Sequence, residues 1–204
     1  MKKLLGILIF SLLPLSASAG LITFNLAANS GDGAEGLALD GLESGAVTKG
    51  GVTATLSARS DPGNGTFMLN QTSNSFGINY DNDGCDVPSQ VDNDCGTEYI
   101  TFSFSEWVEL VSITLTNYGS NDIARLDFDK DAMMDFDIAD SPSTTLVGAM
   151  VGGFGDGFKV ESFSGNGFSI DRFTIRSSEV PEPGSLLLLG LGLAGLGFSR
   201  RKVK

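Results

Sequence analysis

Between residues 20 and 180 the apolar positions come in short runs, and where a run is long enough to show a period, the period is two. Phe102 and Phe104 alternate with Thr101, Ser103 and Ser105; Val111, Ile113 and Leu115 alternate with Ser112, Thr114 and Thr116. Successive side chains of a strand point to opposite faces, so this pattern predicts half-buried strands. Segments rich in β-branched and aromatic residues are Leu21–Leu26, Val52–Ala58, Thr66–Asn70, Phe76–Tyr80, Tyr99–Phe104, Val108–Thr116, Ile123–Phe128, Thr144–Met150, Phe158–Phe163 and Phe168–Ile175. Between them lie turn-forming clusters such as Asp61-Pro62-Gly63-Asn64-Gly65 and Gly152-Gly153-Phe154-Gly155-Asp156-Gly157, whose residues supply positive φ and local side-chain to backbone bonds. No stretch carries a helical period; Asp129 to Ala139, with Met133, Met134 and Phe136, has room for a single helical turn. Short strands at this spacing predict an all-β fold, an antiparallel two-sheet β-sandwich of jelly-roll-like kind.

The two ends follow other patterns. Met1-Lys2-Lys3, the apolar stretch Leu4 to Leu15 and Ala17-Ser18-Ala19 have the charged, apolar and small-residue regions of a secretory signal peptide, with Ala17 and Ala19 framing the signal peptidase site. At the other end Val180-Pro181-Glu182-Pro183-Gly184 leads into an uncharged run, Ser185 to Ser199, and then Arg200-Arg201-Lys202. The run partitions into lipid while the basic end stays on the cytoplasmic side. It falls a few residues short of the about 20 that cross a ~30 Å hydrocarbon core, and glycines 184, 190, 192, 195 and 197 weaken it as a helix. A transient hold by a C-terminal transmembrane helix is therefore expected, not permanent residence. The resulting division is a signal peptide over 1–19, a β-sandwich ectodomain over 20–179 and a sorting segment over 180–204, the middle part being of a size for one domain.

Taken together, Pro181-Glu182-Pro183, the Leu/Gly run and the Arg-Arg-Lys end closely resemble the PEP-CTERM sorting signal of Gram-negative bacteria that make extracellular polysaccharide. The resemblance implies that an exosortase, a membrane transpeptidase-like enzyme, recognises and cleaves the chain near Pro181, Glu182 and Pro183. Export through the inner membrane to the cell surface or extracellular matrix follows from it. A looser likeness to PEP-CTERM ectodomains lies in Gly77-Ile78-Asn79, Glu98-Tyr99-Ile100-Thr101-Phe102-Ser103-Phe104 and Asp171-Arg172-Phe173-Thr174-Ile175. It implies a lectin-like or carbohydrate-module-like jelly roll.

Setting aside the charges of the two ends leaves 7 basic against 24 acidic residues, a net of −17. Such a surface repels nucleic acid, acidic polysaccharide and anionic lipid unless cations intervene. Calcium is the cation that would intervene outside the cell, although solubility alone also accounts for an acidic secreted domain.

Cys85 and Cys95 close a small polar loop in an exported chain, which reads as a disulfide worth about 2–3 kcal/mol if unstrained. In and beside the loop stand Asp81, Asp83, Asp86, Asp92, Asp94 and Glu98, a density of carboxylates suited to a hard cation. Asn79-x-Asp81-x-Asp83-Gly84 matches the opening of an EF-hand loop, but the twelfth position is Gln90 instead of Glu. Asp81, Asp83 and Glu98 are the candidate Ca2+ ligands of a site of another geometry. The same residues would equally make a solvated acidic turn. A second acidic run, Asp127, Asp129, Asp131, Asp135, Asp137 and Asp140, alternates with Leu126, Phe128 and Phe136, as outward faces of strands do. Trp107, Tyr80, Tyr99 and Tyr118 are candidates for a sugar-stacking platform or for ordinary packing.

The chain contains no histidine, which excludes a Ser-His-Asp triad, a Cys-His pair and the common zinc-hydrolase sites. An enzyme built from it would need two carboxylates, as glycosidases do, with Glu98, Glu106, Glu109 and Asp171 as candidates. The expected function is a non-catalytic exported protein of the cell surface or exopolysaccharide matrix that binds calcium or glycan, with extracellular polysaccharide as partner. The alternative is a secreted carboxylate-dependent glycan hydrolase or lyase.

Overall fold

The computed structural model describes residues 20–28, 34–61, 65–80, 88–94, 96–128, 136–139, 144–152 and 157–177. The chain forms β1 (Leu21–Asn25), α1 (Ala34–Leu39), β2 (Ser44–Lys49), β3 (Val52–Asp61), β4 (Phe67–Gln71), β5 (Phe76–Tyr80) and β6 (Thr97–Phe104). It continues with β7 (Val108–Thr116), β8 (Ile123–Asp127), β9 (Phe136–Ala139), β10 (Thr145–Val151), β11 (Gly157–Ser164) and β12 (Ser169–Ser177). One sheet has the order β1-β12-β7-β10, a second β2-β3-β6-β11-β8-β9, and β4 pairs with β5 alone. Every pairing is antiparallel. Four of them are nested along the chain: β1 with β12, β6 with β11, β7 with β10 and β8 with β9.

Alternation places the core. Val52, Ala54, Leu56 and Ala58 of β3 are buried, as are Ile100, Phe102 and Phe104 of β6, while the intervening residues face outward. Phenylalanines join the two large sheets. Phe24 stacks on Phe173 at 4.8 Å and Phe102 on Phe158 at 4.4 Å, and Phe102 meets Phe173 edge-on at 5.3 Å. Each such pair is worth about 0.5–1.5 kcal/mol beyond its buried area.

All ten expected strands form, two with the expected bounds and the others with shifts of one to three residues at their ends. Four features differ from expectation. The strand β2 was not anticipated, because Ser-Gly-Ala-Val-Thr-Lys buries only Val47; edge pairing with β3 makes it a strand. Helix α1 is a second addition, held against β1. Its Glu35 accepts from the Asn25 amide at 3.1 Å and pairs with Lys49 at 2.6 Å. A Cβ on Gly36 would come within 1.8 Å of the Leu26 carbonyl, so only glycine admits this approach. Third, the single helical turn expected within 129–139 is corrected at its end: residues 136–139 are strand β9, drawn out by pairing with β8 from Leu126↔Phe136 to Ile123↔Ala139.

The fourth concerns β7. Val111 does not share a face with Ile113 and Leu115, because the register against β12 passes from Thr174↔Ser112 to Ile175↔Leu110 and skips Val111. The bulge inverts the phase, and Leu110 is the buried residue instead. A second skip, between Ile170↔Leu115 and Arg172↔Thr114, leaves Asp171 bulged from β12.

Candidate functional site

At one end of the strands two turns face each other. The turn from β7 to β8 presents Asn117 to Asp122 and the turn from β11 to β12 presents Gly165 to Gly167; with Gln90 they enclose a cleft of about 460 Å³. Three anchors position it. Asp122, buried, accepts from the Gly119 amide through Oδ2 at 2.5 Å and from the Asn166 amide through Oδ1 at 2.8 Å, tying one turn to the other. Ser164 adds a hydroxyl bond to the Asn121 carbonyl at 3.1 Å. Tyr118 donates its hydroxyl to the Ile138 carbonyl and accepts from the Ala124 amide, with its ring 6.0 Å from Phe168.

The local backbone demands particular residues. Asn117 has φ +55°, and Gly165 and Gly167 have φ +91° and +96°, values that Gly and Asn reach most readily. A Cβ on Gly165 would lie 1.9 Å from Asp122 Oδ1. Gln90 is set by the segment beside β5: the Ile78 amide donates to its carbonyl at 2.9 Å, and Val91 bridges to Phe168. Behind the cleft runs a chain of bonds from Asn117 Nδ2 to Ser169 Oγ, from Ser169 Oγ to the Ser89 carbonyl, and between Ser89 Oγ and Ser75 Oγ. The back wall is tied by these bonds and the rim is not so engaged. Among the described residues, the side chains of Gln90, Ser120, Asn121 and Asn166 make no hydrogen bond, and no Lys or Arg lines the cleft. Sequence reasoning did not single these residues out, apart from Gln90 as the twelfth position of the EF-hand-like loop; the signal present was two Asn/Ser/Gly clusters, 117–122 and 164–167, whose one charged residue is Asp122.

The outer face of the six-stranded sheet is a different surface. Cross-strand register aligns Arg59, Tyr99, Glu161, Arg125 and Asp137 in one row. Most of its charges are paired: Arg125 with Asp137 at 2.8 Å, Lys159 with Glu161 at 2.8 Å and with Asp127 at 3.5 Å, while Arg59 donates to the Ala58 carbonyl at 2.8 Å. Burial acts to lower the pKa of Lys159, but the hydrogen bond and charge of Glu161 and the charge of Asp127 outweigh it and hold the ammonium above its ordinary value. Its aromatic rings are covered by cations, Arg125 lying 3.0 Å from the Phe163 centroid and Lys159 5.3 Å from that of Tyr99.

The residues singled out from sequence are not gathered in one place. Glu98 is fully buried on the inward face of β6, its Oε2 accepting from the Asp92 amide at 3.0 Å. Asp81 and Asp83 lie outside the described residues, as do Cys85 and Cys95, the signal peptide with Ala17 and Ala19, and Pro181, Glu182 and Pro183. Among the described residues no group of three or more His, Cys, Asp or Glu side chains is placed to hold a metal ion. Nor is any helix among them long and apolar enough to cross a membrane. Glu109 faces outward on β7 and pairs with Arg176 at 2.5 Å, Glu106 sits half-buried in the turn before β7, and Asp171 is buried at its bulge. Of the aromatics, Tyr80 stacks on Phe67 at 4.7 Å, Tyr118 is an anchor of the cleft turn, Tyr99 lies under Lys159, and Trp107 is 52% exposed. They form no common platform. Of the second acidic run, Asp127 is buried beside Lys159 and Asp137 is paired with Arg125; Asp129, Asp131, Asp135 and Asp140 lie outside the described residues.

Residues 179–202 match the PEP-CTERM protein-sorting motif. No curated protein and no solved structure matches the chain. The motif marks a protein exported across the inner membrane to the cell surface or extracellular space and processed by an exosortase on the way.

Proposed function

We propose that this exported chain is a non-catalytic protein of the cell surface or exopolysaccharide matrix, whose residues 20–179 fold as a jelly-roll β-sandwich and bind glycan. The nested pairs support the fold. Numbering β1, β6, β7, β8, β9, β10, β11 and β12 from one to eight, the pairs are first with eighth, second with seventh, third with sixth and fourth with fifth. A long hairpin wrapped into two facing sheets pairs its strands in that way, the arrangement of many lectin domains. The β2–β3 hairpin then extends one sheet beyond β6.

The observation that carries the non-catalytic reading is the commitment of the carboxylates. Glu98 faces the interior from one sheet while Glu109 faces outward from the other, tied to Arg176. Carboxylate glycosidases need two carboxyl groups across one groove, about 5–10 Å apart. The cleft instead offers side-chain amides and the Ser120 hydroxyl, which bind sugars without cleaving them, and a single carboxylate, Asp122, bonded to two backbone amides. A disulfide between Cys85 and Cys95 and a calcium ion near Asp81, Asp83 and Glu98 belong to the same reading.

Co-sedimentation of the exported protein with polysaccharides, with reducing ends measured in parallel, tests it. Binding without release of reducing ends is expected. Release that disappears on changing Glu98, Glu106, Glu109 or Asp171 would establish the hydrolase instead.

A further inference from the structure

We infer that the cleft between the β7–β8 and β11–β12 turns is a subsite for a neutral sugar residue at a chain end or branch, and that it works without a metal ion. The inference rests on the glycan-binding reading above and names the place and the chemistry. Each amide on the rim carries an acceptor oxygen and two donor hydrogens, and a hydroxyl carries both functions. Gln90, Ser120, Asn121 and Asn166 therefore present mixed donors and acceptors at one opening, the complement of a ring of sugar hydroxyls, each itself donor and acceptor.

Charge selects among sugars. The cleft has no cation, and the one charged group lining it is the Asp122 carboxylate. A uronate or sulfate would meet that carboxylate and the acidic surface around it with no counter-charge. Asp122 is engaged in holding the two turns together, one oxygen accepting the Gly119 amide and the other the Asn166 amide, and among the described residues no further His, Cys, Asp or Glu joins it in a group of three that could hold a metal ion.

Shape selects the position along the glycan. The cleft sits at the strand ends between two turns, not along a sheet face, and about 460 Å³ falls at the small end of the roughly 300–1,000 Å³ of ligand sites. One or two sugar units fit; a long linear stretch does not. Gly165 and Gly167 keep the wall free of side chains where Asp122 and Asp92 stand behind it.

The test uses the protein as exported and processed by its host and an array of neutral, uronic-acid and sulfated glycans, with and without chelator. The expected result is binding to neutral glycans that persists in chelator and weakens by about tenfold or more in Asn121→Ala/Asn166→Ala at unchanged melting temperature. Ser120→Trp, which fills the opening from an exposed turn position, should abolish binding, and it decides the matter should the double variant fail to fold. Wild-type affinity in Ser120→Trp, or in a folded double variant, overturns the cleft and leaves glycan binding standing elsewhere on the domain. Preference for acidic glycans, or loss in chelator, overturns the neutral, metal-free chemistry. A wild-type protein that binds no glycan overturns the functional reading and the subsite with it.

Discussion

Asp171 stands bulged from β12, where its carbonyl accepts from the Leu26 and Ala27 amides at 2.9 and 3.0 Å and so closes the end of β1 against its partner. Its side chain is buried, and Oδ1 finds no hydrogen-bond donor among the described residues. Burial raises its pKa above the ordinary 3.8, and the Arg172 guanidinium, 3.5 Å from Oδ2, offsets only part of this. The direction sets the pH dependence. A folded-state pKa above the unfolded one means that the folded chain holds the proton to higher pH, so stability falls as pH rises from 3.8 through the raised value and is level beyond it. Asp171→Asn removes the titration. Its melting temperature relative to the native chain should therefore climb from acid to neutral pH, and a difference that stays constant over that range would show that Asp171 does not titrate differently on folding.

At the scale of elements, the contacts of Phe102 hold the architecture together. On β6 it stacks on Phe158 of the neighbouring strand and meets Phe173 of the opposite sheet. Truncation to Ala opens a cavity between layers and should cost about 3–5 kcal/mol of stability in urea unfolding. Trp107→Ala, at a position 52% exposed, should cost much less. Equal losses would mean that the two sheets are not joined by these rings. Most elements were legible from their period of two, because a strand with one buried face must alternate. The exceptions have physical causes. β2 has one buried residue to signal it, β9 is made by its partner, and the bulge at Val111 breaks the phase by one residue that no local pattern announces.

For the whole molecule, the tail governs route. Changing Pro181 and Pro183 to Ala should redistribute the protein among envelope fractions while its melting stays the same; an unchanged distribution would remove the two prolines from the sorting signal. The sorting motif was legible because a processing enzyme reads a linear stretch, so its residues must be contiguous. So was the all-β class, which depends on alternation. The cleft was not legible, because its members are spread from Gln90 to Gly167 and resemble any turn until two loops are set face to face. The candidate carboxylates changed meaning for the same reason: Glu98, Glu109 and Asp171 are alike in the chain, and only pairing, burial and register separate an inward structural acid, an outward salt-bridge partner and a bulged titrating group. By itself the sequence determined the compartment and the period of the strands, both properties of neighbours along the chain; the strand order and the site were decided by tertiary structure, because both are relations between residues that only long-range pairing brings together.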